Sequence, residues 1–247
     1  MDPSMYALNQ ALEDDHWWFR GRRAIFLEVL ARHLPPSPGG TTSAIVELGC
    51  GTGGNLAALS RFGQVTGVEP DPGAAEWARR KTGLHVIVDK LPECPSLPEG
   101  AFDVVGLFDV LEHIDDDRGA LRRIARLLRP RGVAIVSVPA FPWLWTRHDE
   151  SLHHVRRYTR AGLADALGDA GLSWDAGGYF NFRLFPLVAA VRLLHRATGG
   201  GPPHDFRIPP RLLNHILERI FAGEARRVAD HGYPWGVSLL ALARANS

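Results

Sequence analysis

The sequence predicts an α/β protein with a doubly wound, largely parallel sheet, and three observations carry that prediction. Short apolar runs alternate with helix-period segments over residues 44–139. The first run, Ala44 to Leu48, breaks into glycines where a helix can begin, the usual plan of a nucleotide cradle. Glu47, Glu69, Asp89 and Asp109 each stand at the end of a run, and in such sheets ligands bind beyond the carboxyl ends of the strands.

Taken in order, residues 16–34 have helical spacing, with Trp18, Ile25 and Val29 beside a stripe of Phe26 and Leu30. A Pro/Gly stretch at 35–40 stops that helix and forms a linker. Residues 45–48 read as the first strand, 55–61 as a helix and 64–69 as the second strand. Asp71 followed by Pro72 is a strong start signal for the next helix. A third strand at 84–88 leads through a loop carrying Pro92, Pro95 and Pro98 to a fourth at 102–108. Asp115 to Asp117 cap a helix running to Leu128, and a turn at 129–132 introduces the fifth strand, 133–138.

Past residue 140 the alternation loosens. Residues 141–158 are rich in Trp, His and Arg without a clear period. A helix at 159–171, a strand at 172–179, an apolar helix at 180–196 interrupted near Pro186, and a flexible turn at 198–203 follow. An amphipathic helix at 210–230 and a last strand at 236–243 complete the chain. The expected organisation is an N-terminal helical cap and linker (1–40), a core formed by 41–179 and 233–247, and a helical insertion at 180–232.

Composition excludes several classes. The 247 residues are 45% hydrophobic with a net charge of +1, as in ordinary globular proteins. No charged start with an apolar run follows Met1, and no apolar run reaches the ~18 residues of a spanning helix, so a cytoplasmic location and no membrane span are expected. Cys50 and Cys94 lack metal-ligand spacing and predict no disulfide. Arginine dominates the basic residues, Lys81 and Lys90 being the only lysines, and acids balance them. Nucleic acid is therefore not an expected partner.

The glycine loop reads as one of two ligand sites, or as a turn that holds no ligand. Gly49-x-Gly51-x-x-Gly54, with Glu69 20 residues after Gly49, fits a dinucleotide fingerprint. Glu47-x-Gly49-x-Gly51-x-Gly53 instead resembles the loop pattern of the class I S-adenosylmethionine (SAM) methyltransferases. Glu47 favours the second, because a carboxylate there opposes a pyrophosphate but suits an ammonium and a sulfonium.

With these motifs in place, the chain resembles the class I SAM-dependent methyltransferases, over roughly residues 16–180 and 233–244. The resemblance rests on Glu47-Leu-Gly-Cys-Gly-Thr-Gly53, Gly67-Val-Glu-Pro-Asp71, Phe108-Asp-Val-Leu-Glu-His113 and Leu128-Arg-Pro-Arg-Gly132. His16-Trp-Trp-Phe-Arg-Gly-Arg-Arg23, and Trp145-x-x-His-Asp149 followed by His154-x-Arg-Arg-Tyr158, are similar to a bacterial small-molecule subgroup. The resemblance implies a Rossmann-like seven-stranded sheet whose last strand is antiparallel beside the fifth. It implies that Gly49, Cys50, Gly51 and Gly53 lie against SAM, that Glu47 orients the methionine ammonium, and that Glu69, beside Pro70, accepts both ribose hydroxyls. Asp89, with Lys90 and Leu91, would meet the adenine, and Phe108 and Asp109 the methionine side. Trp18, Phe19 and Arg22 would close over the cofactor, plain helix packing being the alternative for the aromatics. Lys90 and the proline-rich loop after it depart from the family pattern.

For chemistry, His113 is placed to deprotonate an acceptor or to brace its loop, and Glu112 reads as a solvated or loop-bracing acid. His154 is a candidate base oriented by Asp149; the competing arrangement pairs Asp149 with Arg156 or Arg157 in a lid, with Tyr158 packed below. His148, Asp149, His153 and His154 match no strong metal motif, so no metal is expected, although such side chains can ligate one. The 180–232 insertion reads as packed helices, a dimer element, a lid over a partly apolar acceptor, or a surface that docks on membranes. The expected function is SAM-dependent methyl transfer to an oxygen or nitrogen of a small molecule. The rivals are a cyclase or scaffold that binds SAM without methylating, and a nicotinamide oxidoreductase.

Overall fold

The structure, a computed structural model, describes residues 3–34, 42–198 and 208–245. The expected linker at 35–40 and most of the expected turn at 198–203 lie outside the described residues. Seven strands form one sheet: β1 (Ser43–Leu48), β2 (Gly63–Val68), β3 (His85–Ile87), β4 (Phe102–Phe108), β5 (Leu128–Pro139), β6 (Leu172–Phe180) and β7 (Ser238–Ala245). Their order is β3-β2-β1-β4-β5-β7-β6. β7 runs antiparallel to both neighbours, and every other pairing is parallel. This is the seven-stranded, Rossmann-like sheet with the inserted last strand that the resemblance implied.

The central strands are buried on both faces, which is why they read as near-continuous apolar runs. Along β5 the side chains alternate between two cores: Ala134, Val136 and Val138 enter one, Val133 and Ile135 the other. The first core is closed by α5 (Asp117–Leu127) and α7 (Arg160–Asp169) through Leu121, Ile124, Leu163 and Leu167. The second is closed by α2 (Trp17–His33), α3 (Leu56–Leu59) and α4 (Pro72–Thr82), with Ile25, Phe26, Leu56 and Ala75. Asp71 caps α4 as expected, accepting from the Ala74 amide at 2.7 Å.

Four local readings change. A helix the sequence did not signal, α1 (Pro3–Leu12), precedes α2. The turn expected at 129–132 is a bend within β5, with Arg131 in left-handed conformation at φ 69°. Pro186 does not interrupt a helix: α8 (Phe185–Thr198) starts beside it, where a missing N–H is harmless. The helix expected over 210–230 is two, α9 (Arg211–Ala222) and α10 (Ala225–Asp230), divided at Gly223. Phe221 fits that junction against Gly21 of α2, whose missing side chain admits the ring. No described helix is long and apolar enough to cross a membrane.

Candidate active site

A cavity of about 660 Å³ opens at the carboxyl ends of β1, β2 and β4 and continues past those of β5 and β6. Its β1–β2–β4 half is floored by the glycine loop. Gly49 takes φ +71°, and a Cβ there would lie 2.5 Å from Val110 Cγ2. Gly51 takes φ +54° and, beyond its chain neighbours, no atom of the described residues lies within 4 Å of a Cβ position, so the space above it belongs to the cavity. Both positions need glycine, for conformation in each case and for clearance at Gly49. Cys50 and Pro70 also line this half. Gly53 does not; it packs against Ala78 of α4.

Glu47 ends β1 almost fully buried, 2% exposed. Its Oε1 accepts from Asn55 Nδ2 at 2.8 Å, and its Oε2 has no partner among the described residues. Burial pushes its pKa up to about 8, against the Asn55 hydrogen bond and the Arg22 charge, which pull it down. A buried carboxylate oxygen left unpartnered is costly, and a ligand ammonium is the complement it lacks.

Glu69 follows β2. Its Oε2 accepts from the Gly51 amide at 2.9 Å; its Oε1 accepts from the Tyr6 hydroxyl at 2.7 Å and the Asp71 amide at 3.1 Å. Each carboxylate oxygen takes about two donors. Only Oε2 thus has capacity left, and a pair of ribose hydroxyls needs Tyr6 to give way.

α2 supplies the cover. Trp18, Phe19 and Arg22 all line the cavity. The Arg22 guanidinium lies 4.2 Å from the Trp18 ring centroid and is ion-paired with Asp109. Burial lowers its pKa to about 10, so it stays charged near neutrality. Asp109 also accepts from Ser137 Oγ at 3.0 Å. Phe108 lines the same wall and stacks on Phe26, centroids 4.1 Å apart. Glu13, between α1 and α2, ties this cover to the loop by accepting from Thr52 Oγ1 and Lys81 Nζ.

Asp89, Lys90 and Leu91 are not brought to the cavity wall. The Asp89 carboxylate accepts from the Lys90 and Ser96 amides, both at 2.8 Å, and braces the proline-rich loop.

The other half of the cavity gathers Glu112, His113, His148, His154, Arg157, Asn181, Leu187, Val188, Val191 and Arg192. Asp149 is fully buried behind them in α6 (Arg147–Ser151). It accepts from His154 Nδ1 at 2.9 Å, Arg157 Nε at 2.7 Å, Arg192 at 3.3 Å and the Thr146 amide at 2.9 Å. Both arrangements weighed from sequence therefore coexist: Asp149 orients His154 and also pairs with Arg157. Arg156 instead pairs with Asp117, which also accepts from the Tyr158 hydroxyl. Burial would raise the Asp149 pKa, but the His154 hydrogen bond and the Arg157 charge outweigh it and hold the carboxyl well below its usual range.

His113 packs edge-on against His154, centroids 4.8 Å apart, with Nδ1 3.3 Å from the His153 carbonyl. Burial and the neighbouring His154 lower its pKa to about 4. Burial, then Arg192, lowers that of His148 to about 3. Glu112 is not solvated: it is 1% exposed, its Oε2 has no partner, and burial raises its pKa to about 8.

Residues 18–176 match the family described as "Methyltransferase domain". The chain belongs to the methyltransferase domain family. A Mycobacterium tuberculosis relative named as a probable S-adenosylmethionine-dependent methyltransferase is 31% identical over 166 residues, covering 65% of this chain and 57% of the relative. A trans-aconitate 2-methyltransferase of Deinococcus radiodurans is 31% identical over 158 residues, covering 63% and 57%. The chain thus spans less than two-thirds of these relatives' length. Among solved structures, that of the Haloferax volcanii Trm112 methyltransferase activator complex includes a similar fold at TM-score 0.62 and 22% identity, covering 97% of this chain and 94% of that one. SAM is the cofactor of the family, and the open Gly51 floor and the unpartnered Glu47 oxygen fit it.

For this family member, sequence reasoning missed Tyr6, Asn55 and Asn181. Asn55 stands eight residues after Glu47, at the start of a very short helix, and was legible as an N-cap type. Asn181 ends β6 as the acids end their strands, with φ 57° and an unpartnered Oδ1. Tyr6 carried no local signal.

Proposed function

We propose that the chain is a SAM-dependent methyltransferase acting on an oxygen or nitrogen of a small, partly apolar acceptor. The observation that carries this reading is the buried, half-partnered Glu47 carboxylate at the end of β1, facing the glycine-floored half of the cavity. Glu47 would hold the cofactor ammonium, Glu69 the ribose through Oε2, and Arg22 with Asp109 the wall between. When bound, the sulfonium supplies the methyl group and keeps the electron pair of the broken S–C bond.

The acceptor would occupy the half lined by Leu187, Val188 and Val191, with Asn181 and Arg192 as its polar contacts. His154, steered by Asp149, is the group that draws off the acceptor's proton as the new bond forms. His113 stands beside it, neutral at pH 7 by its low pKa. Alignment of this kind contributes about 7–11 kcal/mol, and a positioned base about 10²–10⁴-fold. The name of the Deinococcus relative supports a small acceptor.

Calorimetric titration with S-adenosylhomocysteine and, separately, NADH tests the cofactor. Homocysteine-nucleoside binding alone is expected; binding of NADH alone would end the reading. Mass spectrometry of acceptors incubated with methyl-labelled SAM separates a transferase from a non-methylating binder. Glu69→Ala is expected to weaken S-adenosylhomocysteine by about 1.5 kcal/mol or more, the scale of a lost charged hydrogen bond. Unchanged affinity in that titration would place the ribose elsewhere.

A further inference from the structure

We infer that Glu112, His113 and His154 form a binding site for one divalent transition-metal ion of the zinc class. Its remaining coordination positions would open to the acceptor half of the cavity. One potential donor atom from each residue lies within 4.8 Å of the other two, and the His154 Nε2–Glu112 Oε1 pair is 3.9 Å apart. Tetrahedral zinc, with bonds of about 2.0–2.2 Å, spaces its donors about 3.4 Å apart. For that pair the gap closes with a movement of about half an ångström, within reach of small side-chain rotations.

The wiring behind the rings points the same way. His113 Nδ1 faces the His153 carbonyl and His154 Nδ1 faces the Asp149 carboxylate. Both partners only accept, so each ring carries its hydrogen on Nδ1 and leaves a lone pair at Nε2. This is how metal-binding imidazoles are held: the far nitrogen donates to a carbonyl or carboxylate, fixing ring and tautomer.

Glu112 supplies an independent observation. It is 1% exposed and its Oε2 has no hydrogen-bond partner. Three acceptors therefore converge where no donor among the described residues reaches Glu112 Oε2, and a 3.9 Å separation is too long for a hydrogen bond. A dication satisfies all three at once. Two imidazole nitrogens and one carboxylate suit zinc or a neighbouring first-row ion, whereas magnesium prefers oxygen and water.

This inference rests on the proposed function and deepens it. With the ion in place the His154 lone pair would be spent on it, so His154 would serve as a ligand and not as the base: an acceptor oxygen would bind the ion, its proton would pass to water, and the ion would stabilise the resulting oxyanion for methylation. The 40 residues between the two histidines explain why no metal motif is visible in the sequence.

The test uses the full chain, stripped with chelator and titrated calorimetrically with zinc chloride, then with magnesium chloride. One equivalent of zinc is expected to bind, and magnesium is expected not to compete. Glu112→Gln, His113→Ala and His154→Ala should each weaken zinc by about 10-fold or more. His148→Ala, a histidine of the same cavity outside the set, should shift affinity by less than about two-fold. Should a variant unfold, visible absorption of the cobalt-loaded native chain gives a second readout, since nitrogen ligation at a low-symmetry site produces intense d–d bands. Absence of zinc binding, a colourless cobalt form, or equal loss in His148→Ala would overturn the site. S-adenosylhomocysteine is titrated in parallel: its binding without zinc sinks this inference alone, while loss of its binding sinks the proposed function.

Discussion

Glu47→Gln is expected to weaken S-adenosylhomocysteine binding by roughly 10- to 100-fold while making the free protein more stable in alkali. The first effect follows from removing the charge that faces a ligand ammonium; charged hydrogen bonds contribute about 1.5–3 kcal/mol. The second follows from the pKa of about 8. A carboxyl whose folded pKa is raised contributes stability that is full below its unfolded value of about 4.3 and is lost as pH rises through about 8. Glutamine never ionises, so the variant escapes that loss, worth on the order of a few kcal/mol for so buried a group. Thermal melts at pH 6 and 9 should therefore diverge between wild type and variant. Part of the slope should persist in the variant, because Glu112 has the same raised pKa.

The same residue sets a pH dependence of binding. At pH 6–8 much of Glu47 is protonated in the free protein, and a bound cation favours its ionised form. Ligand binding is then expected to release a proton and to strengthen as pH rises toward 8. Calorimetry in buffers of different ionisation enthalpy reads that proton directly. Binding without proton release in the wild type would show that the ammonium lies elsewhere.

Asp149→Ala is expected to lower stability by about 3–5 kcal/mol, because it strands Arg157, itself buried, without its carboxylate. The melting temperature should fall by roughly 10 °C. Asp149→Asn is the gentler probe: it keeps the shape but no longer holds His154 by charge, and turnover should fall about 10²-fold or more with the fold retained. Normal turnover in the Asn variant would remove His154 from its assigned role. Because the folded pKa of Asp149 is depressed, its contribution is present above the ordinary carboxylate range. It is lost only as pH falls through that depressed value, so neutral and mildly acidic conditions should leave it intact.

The sheet and the cofactor half were legible because their signals are local. A strand, an acid and glycines occur within eleven residues at 44–54, and Asp71-Pro72 marks a helix start by type alone. The acceptor half was legible only in part: His113, His154 and Asp149 stood out by residue type, but that they meet follows only from the sheet order. His113 follows β4 and His154 follows β5, and only the pairing of those strands makes them neighbours. Glu112 misled for a related reason: glutamate is rarely buried, and nothing beside it in sequence shows that residues 148–157 fold over it. The split of 210–230 was hidden by Gly223, which helical patterns tolerate.

The acceptor half is walled by α8, a helix with a single buried residue, Ala189, and with Leu187 63% exposed while also lining the cavity. Elements with so little apolar anchorage open at small free energies compared with the sheet behind them. Entry of a bulky guest is therefore expected to depend on outward movement of this helix.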